Sequence, residues 1–193
     1  QHTHAADFFG RTRRRRACRG TDTRHRQELE SMQSSPTPLR ITLIGFGAVN
    51  RAFARLVARE EQRLLKEQNL QVQYHAVIAR HGCWEVAAVG QDWLSASQVG
   101  SLADAVASAS FRLDGSTDSI PSDVLDTPST VQVTKTPSPD EIRRIIANSS
   151  HSLKDGQACV IEAIDVDYDG GEPATSYLQE ALRHGIHSIS ANK

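Results

Sequence analysis

Gly45-Phe46-Gly47 stands between an apolar run and a segment of helical periodicity, a placement suited to holding a nucleotide diphosphate. Glycine at both positions lets the chain turn sharply and lets a phosphate approach bare main chain. The helix that follows would aim its unpaired N–H groups and positive dipole end at the turn, so an anion there needs no cationic side chain. Ala48, Val49 and Asn50 complete this candidate cradle. Asn50 takes the place of the third glycine in the G-x-G-x-x-G pattern, a residue that normally lets helix and strand pack closely. The plain alternative is a strand, tight turn and helix that bind nothing.

A second candidate group lies at the end of the next apolar segment, VQYHAVIAR. A site that prefers NAD places a carboxylate there, which accepts the ribose 2′-hydroxyl and repels a 2′-phosphate. This chain has Arg80 and His81 instead. A guanidinium matches phosphate with a charge-assisted fork, so the expected cofactor is NADP, with NAD as the alternative. Against this stands the simpler reading of Arg80 as a solvated residue at a strand end.

The elements that must position these residues follow from periodicity. Ile41, Leu43 and Ile44 predict a buried strand, and Val49, Ala52, Phe53, Leu56 and Val57 predict the apolar stripe of a helix running to about Asn69. A second strand is expected over 72–80. Residues 84–136 are mostly polar, and predict one weak helix near 101–106, a long connection and an edge strand at 130–134. At Ser138-Pro139-Asp140-Glu141 a capping serine, a first-turn proline and two acids announce a helix, with Ile142, Ile145 and Ile146 on its buried face. A strand over 158–164, a helix built on Ala174, Tyr177, Leu178, Ala181 and Leu182, a stop at His184-Gly185 and a strand over 186–190 complete the pattern. Strands alternating with helices predict an α/β fold, a Rossmann-like, doubly wound, mostly parallel sheet.

Charge is distributed unevenly. The first forty residues hold nine Arg and four acids, a net of +5, whereas residues 41–193 carry a net of −6. Residues 1–38 are therefore expected to be a disordered Arg-rich tail outside the mature fold, with Met32 as the natural start, and residues 39–193 the nucleotide-binding domain. Two other readings of the tail compete. An organelle transit peptide is disfavoured by scarce serine and by Asp7, Asp22, Glu28 and Glu30. A nucleic-acid-binding arm is disfavoured by the lack of aromatic or groove-entering structure. Cys18, Cys83 and Cys159 are too few and too far apart for a disulfide framework or a zinc site; no metal is expected, and Cys83 and Cys159 read as structural. The sequence shows neither a membrane span nor a secretory signal, so the default expectation is a soluble cytoplasmic protein.

LIGFGAVNRAFARL, ARHG and VIEAIDVDYDGGEPATSYLQEALRHGIHSISANK together resemble the amino-terminal nucleotide-binding part of homoserine dehydrogenase, over roughly residues 39–193. In that family a strand ending in an acid leads through a Gly-Glu-Pro-Ala helix start to a strand closing on Ala-Asn-Lys. These correspond to Glu162, Gly171-Glu172-Pro173-Ala174 and Ala191-Asn192-Lys193. The resemblance implies hydride transfer between NAD(P)H and aspartate 4-semialdehyde, giving homoserine for threonine, methionine and isoleucine synthesis. It implies that Gly45 to Asn50 cradle the pyrophosphate, that Arg80 meets the adenosine phosphate and that Lys193 lies near nicotinamide and substrate. Asn50, and Ile164-Asp165 where the family commonly has Thr-Pro, depart from the pattern. The resemblance also places the catalytic residues beyond Lys193, in a domain that makes the full-length protein a homo-oligomer acting on a small molecule. A stand-alone dinucleotide-binding module is the alternative, and a methyltransferase is a weaker third, because those enzymes also want an acid after the second strand.

Overall fold

Eight residues, Thr37–Ile44, form the central strand β1 of a seven-stranded sheet, and its last four, Ile41 to Ile44, are all buried. The computed structural model describes residues 35–80, 82–86, 93–108, 131–134, 137–151, 153 and 157–191. Most of the expected basic tail lies outside them, as do His81, Asn192 and Lys193. Helix α1 (Ala48–Gln68) follows the glycine turn and stops at Asn69, whose left-handed φ of 51° is a conformation asparagine tolerates. The chain then enters β2 (Leu70–Ala79), parallel to β1.

The strict alternation of strand and helix breaks after β2. Gly82–Val86 forms β3, which turns straight back and pairs antiparallel to Ala76–Ala79. A two-residue strand, β4 (Leu94–Ser95), pairs with the first half of β2, and β5 (Val131–Thr134) pairs antiparallel to β3. Between them lies α2 (Ala96–Ser108), longer than the weak helix the sequence suggests. Its buried Val99, Leu102 and Ala103 supply the missing stability by packing rather than by propensity. Helix α3 (Pro139–Asn148), β6 (Gln157–Glu162), α4 (Ala174–Arg183) and β7 (His187–Ser190) follow. The start of α3 is as its sequence predicts: Ser138 Oγ accepts from the Glu141 N–H, and the Glu141 carboxylate accepts from the Ser138 N–H at 2.6 Å.

The strand order is β5-β3-β2-β1-β6-β7, with β4 beside β2. Four strands, β2, β1, β6 and β7, run parallel, while β3 and β4 pair antiparallel to β2 and β5 pairs antiparallel to β3, so the fold is α/β with a mixed sheet. Helices cover both faces. On one, Ala54 and Val57 of α1 and Val99 and Leu102 of α2 pack on Ile41, Leu43, Tyr74 and Trp84. On the other, Ile142, Ile145 and Ile146 of α3 and Tyr177 and Ala181 of α4 pack on Ile44, Ile78 and Val160. Each such aliphatic side chain contributes roughly 1.5–3 kcal/mol when fully buried. Cys83 and Cys159 lie buried within these clusters. No helix among the described residues is long and apolar enough to cross a membrane.

The β1–β2 ladder slips by one residue, Ile41 pairing with Tyr74 and Thr42 with Ala76, which leaves His75 as the extra residue of a bulge. The slip explains why Val72 and Tyr74 face α1 but Ala76 and Ile78 face α3. His75 Nε2 is buried without a hydrogen-bond partner. Burial, reinforced by the positive charges of Arg40 on β1 and Arg144 on α3, lowers the imidazole pKa to about 4, against a smaller opposing contribution from the Ile145 main chain. The unfolded chain binds this proton near pH 6.5 and the folded chain does not, so stability is lost as pH falls from 6.5 towards 4. We expect a loss on the order of 2 kcal/mol over that interval in urea unfolding, allowing for partial exposure of the ring, and a flatter profile in His75→Gln.

Candidate functional site

Ile78, Ile44, Glu162 and Ser190 lie side by side across the four parallel strands and mark their carboxyl edge. The glycine turn starts one residue past this row, between β2 on one side and β6 on the other. Here the chain direction divides: β1 connects through α1 to β2, whereas β6 connects through α4 to β7, away from β1. Ligands of open α/β sheets bind in the crevice at such a reversal.

Gly45 has φ +83°, and its N–H donates to Ile78 O at 2.9 Å. A Cβ there would lie 2.4 Å from Ala163 O and 2.5 Å from Ile164 Cγ2, so both the main-chain conformation and the loop after β6 demand glycine. Gly47 is different. It caps α1 with φ −81°, and a Cβ built on it meets nothing within 4 Å. No side chain caps this helix end, and its first turn contains no acid. The first helical bond runs from Arg51 N–H to Gly47 O, so the N–H groups of Ala48, Val49 and Asn50 precede it. Gly47, Ala48 and Val49 are exposed. An anion laid against these amides therefore meets main chain, dipole and open space together.

Phe46 is buried in the core beside α1, so only its main chain is available to a ligand and its ring leaves the crevice clear. Asn50 is wholly buried, and its Nδ2 donates to Gly45 O at 2.9 Å, Ile44 O at 3.1 Å and Ile161 O at 3.4 Å. Three carbonyls around one nitrogen settle which end of the amide faces them. Asn50 thus braces the turn, β1 and β6 from inside the helix, and only its main-chain N–H belongs to the cradle. The sequence gives this position the role of a missing glycine; the structure makes it a cross-strand tie.

Arg80 follows β2 directly and reaches across the crevice to Asp165, with Nη2 to Oδ2 3.3 Å. Nothing in the local sequence points to Asp165 as a neighbour of Arg80. It lies 85 positions away in sequence, and only the neighbouring of β1 with β6 brings it near. Its loop is fixed on three sides: Ala163 N–H donates to Ile44 O at 2.8 Å, Ala163 and Ile164 press on Gly45, and Ile164 N–H donates to Glu162 Oε1 at 2.6 Å. The fully buried Glu162 also accepts from Ser190 Oγ at 2.8 Å and so ties β6 to the end of β7. An apolar groove of about 420 Å³ lies elsewhere, over the amino-terminal ends of β1 and β2. It is lined by Leu39, Ile41, Phe53, Leu56, Leu64 and Val72. It holds none of the candidate residues.

No protein-family model, curated protein or solved structure matches the chain. The functional reading therefore rests on the residues of the crevice.

Proposed function

We propose that the folded part of this chain is a Rossmann-like nicotinamide-dinucleotide-binding domain of homoserine dehydrogenase type, with NADP as the favoured cofactor and NAD as the alternative. The observation that carries the reading is the open, uncapped start of α1 at the point where the connections leaving the sheet reverse. The main-chain amides of the exposed residues Gly47, Ala48 and Val49, with that of Asn50, would hold the diphosphate. Gly45 brings main chain close without a side chain in the way, and the burial of Phe46 keeps that approach clear. Arg80 would take the 2′-phosphate. The bound dinucleotide would supply or accept a hydride, and in a homoserine dehydrogenase the partner in that transfer is aspartate 4-semialdehyde or homoserine. The motifs quoted above carry that narrower assignment. Lys193, given a place near nicotinamide by the resemblance, lies outside the described residues.

Gly47→Asp tests this site without disturbing the fold. The new Cβ enters open space at an ordinary φ, and the carboxylate caps α1, so unfolding stability should stay the same or rise by up to about 1 kcal/mol. The same carboxylate would stand where the diphosphate belongs. Fluorescence titration should show NADPH binding to the unaltered protein and at least about 100-fold weaker binding to the variant, the equivalent of about 2.7 kcal/mol. Equal affinity in both proteins would refute the site. The resemblance places the catalytic residues beyond Lys193, so dinucleotide affinity, and not homoserine-dependent reduction of NADP, is the readout.

A further inference from the structure

The dinucleotide reading leaves one acidic side chain in the crevice unexplained. Asp165 is 99% exposed and Arg80 74% exposed, so their ion pair adds little to stability and either group exchanges readily for another partner. The two residues before Asp165 are nevertheless pinned to β1, Gly45 and Glu162, which holds the start of this loop on the wall of the crevice opposite Arg80.

We propose that Asp165 is a specificity-determining residue of this site, setting the balance between phosphorylated and unphosphorylated dinucleotides. The inference rests on the dinucleotide reading. In the usual arrangement the discriminating carboxylate ends the strand after the glycine helix, accepts the ribose 2′-hydroxyl and repels a 2′-phosphate. Here that place belongs to Arg80, and a carboxylate comes from the opposite wall of the crevice, on the loop after β6. A 2′-phosphate must displace Asp165 from Arg80 and then sit near its negative charge, which offsets part of what the guanidinium provides. A 2′-hydroxyl has no charge to oppose and can donate to the displaced or unshifted carboxylate. Arg80 therefore favours NADPH, Asp165 favours NADH, and the pair together gives weak discrimination where Arg80 alone would give strong discrimination. The departure of Ile164-Asp165 from the commoner Thr-Pro thus acquires a function.

The test is titration of the full chain, Asp165→Asn and Arg80→Gln with NADPH and with NADH, at low ionic strength where exposed charges are least screened. Asp165→Asn should tighten NADPH about fivefold, weaken NADH about twofold and so move the preference about tenfold towards NADPH; Arg80→Gln should move it the other way. Both positions are exposed, so thermal midpoints without ligand should match that of the unaltered protein and exclude a folding artefact. If Asp165→Asn changes both affinities by the same factor, or shifts the preference towards NADH, this inference falls and the dinucleotide site stands. If none of the three proteins binds either dinucleotide, the site and the inference fall together.

Discussion

Gly45→Val should destabilise the domain by about 4 kcal/mol or more, read as a lower urea midpoint with an unchanged slope. Two separate costs combine. At φ +83° a β-branched residue is strained by on the order of 1–2 kcal/mol before it touches anything. The added Cβ would also stand 2.4 Å from Ala163 O, which is main chain and cannot rotate away. Relief would require the loop after β6 to lift, breaking the 2.8 Å bond from Ala163 N–H to Ile44 O and disturbing the contact of Ile164 with Glu162. The unlike behaviour of the two glycines is the informative result. Substitution at Gly45 should be read in stability and substitution at Gly47 in ligand affinity, because one glycine serves packing and the other opens onto the space proposed for the diphosphate. A Gly45→Val protein as stable as the original would mean that the β6 loop does not rest on the turn.

Much of this architecture is legible in the sequence, for a physical reason. Buried faces impose periods of two and about 3.6 on the apolar residues, and caps are short-range. Thus Ile142, Ile145 and Ile146 mark α3, Ser138 and Glu141 mark its start, and His184-Gly185 marks the end of α4. On the antiparallel side the edge strand β5 lies where the sequence predicts one, at 130–134, but β3 and β4 are illegible for the converse reason. Only five residues, Gly82–Val86, make β3, and two make β4; such lengths show no period, and their burial depends on partners far along the chain. Arg80 and His81 alone separate β2 from β3 in sequence, and neither is a residue type that announces a hairpin. At the site, Gly45, Gly47 and Arg80 can be found from local order, since each adjoins a strand end. Asp165 cannot. Its relation to Arg80 exists only once β6 lies beside β1, and no spacing rule links residues 85 positions apart.

Asn50 makes the sharpest contrast between pattern and structure, because the two predict opposite signs for one substitution. Read as a pattern, Asn50→Gly restores the third glycine and should ease packing of α1 on the sheet. Read as a structure, it removes a buried amide that donates to Ile44, Gly45 and Ile161 carbonyls. The amide has two N–H protons to share among these carbonyls, so about two hydrogen bonds of about 1 kcal/mol each are lost, and glycine in the first turn of a helix adds roughly 0.5–1 kcal/mol of chain entropy. The expected outcome is a loss of about 3 kcal/mol in urea unfolding, smaller than for Gly45→Val but in the direction the motif forbids. Asn50→Asp provides the control that separates hydrogen bonding from size. It keeps the volume of asparagine but presents an acceptor to three acceptors, so it should be less stable than Asn50→Gly at pH 7 and recover as the carboxylate is protonated. The carboxyl pKa would be raised in the folded state, so the recovery should appear as pH falls through that raised value. If Asn50→Gly were the more stable protein, the tie between β1, the turn and β6 would be incidental, and the anchoring of the loop that bears Asp165 would lose one of its supports.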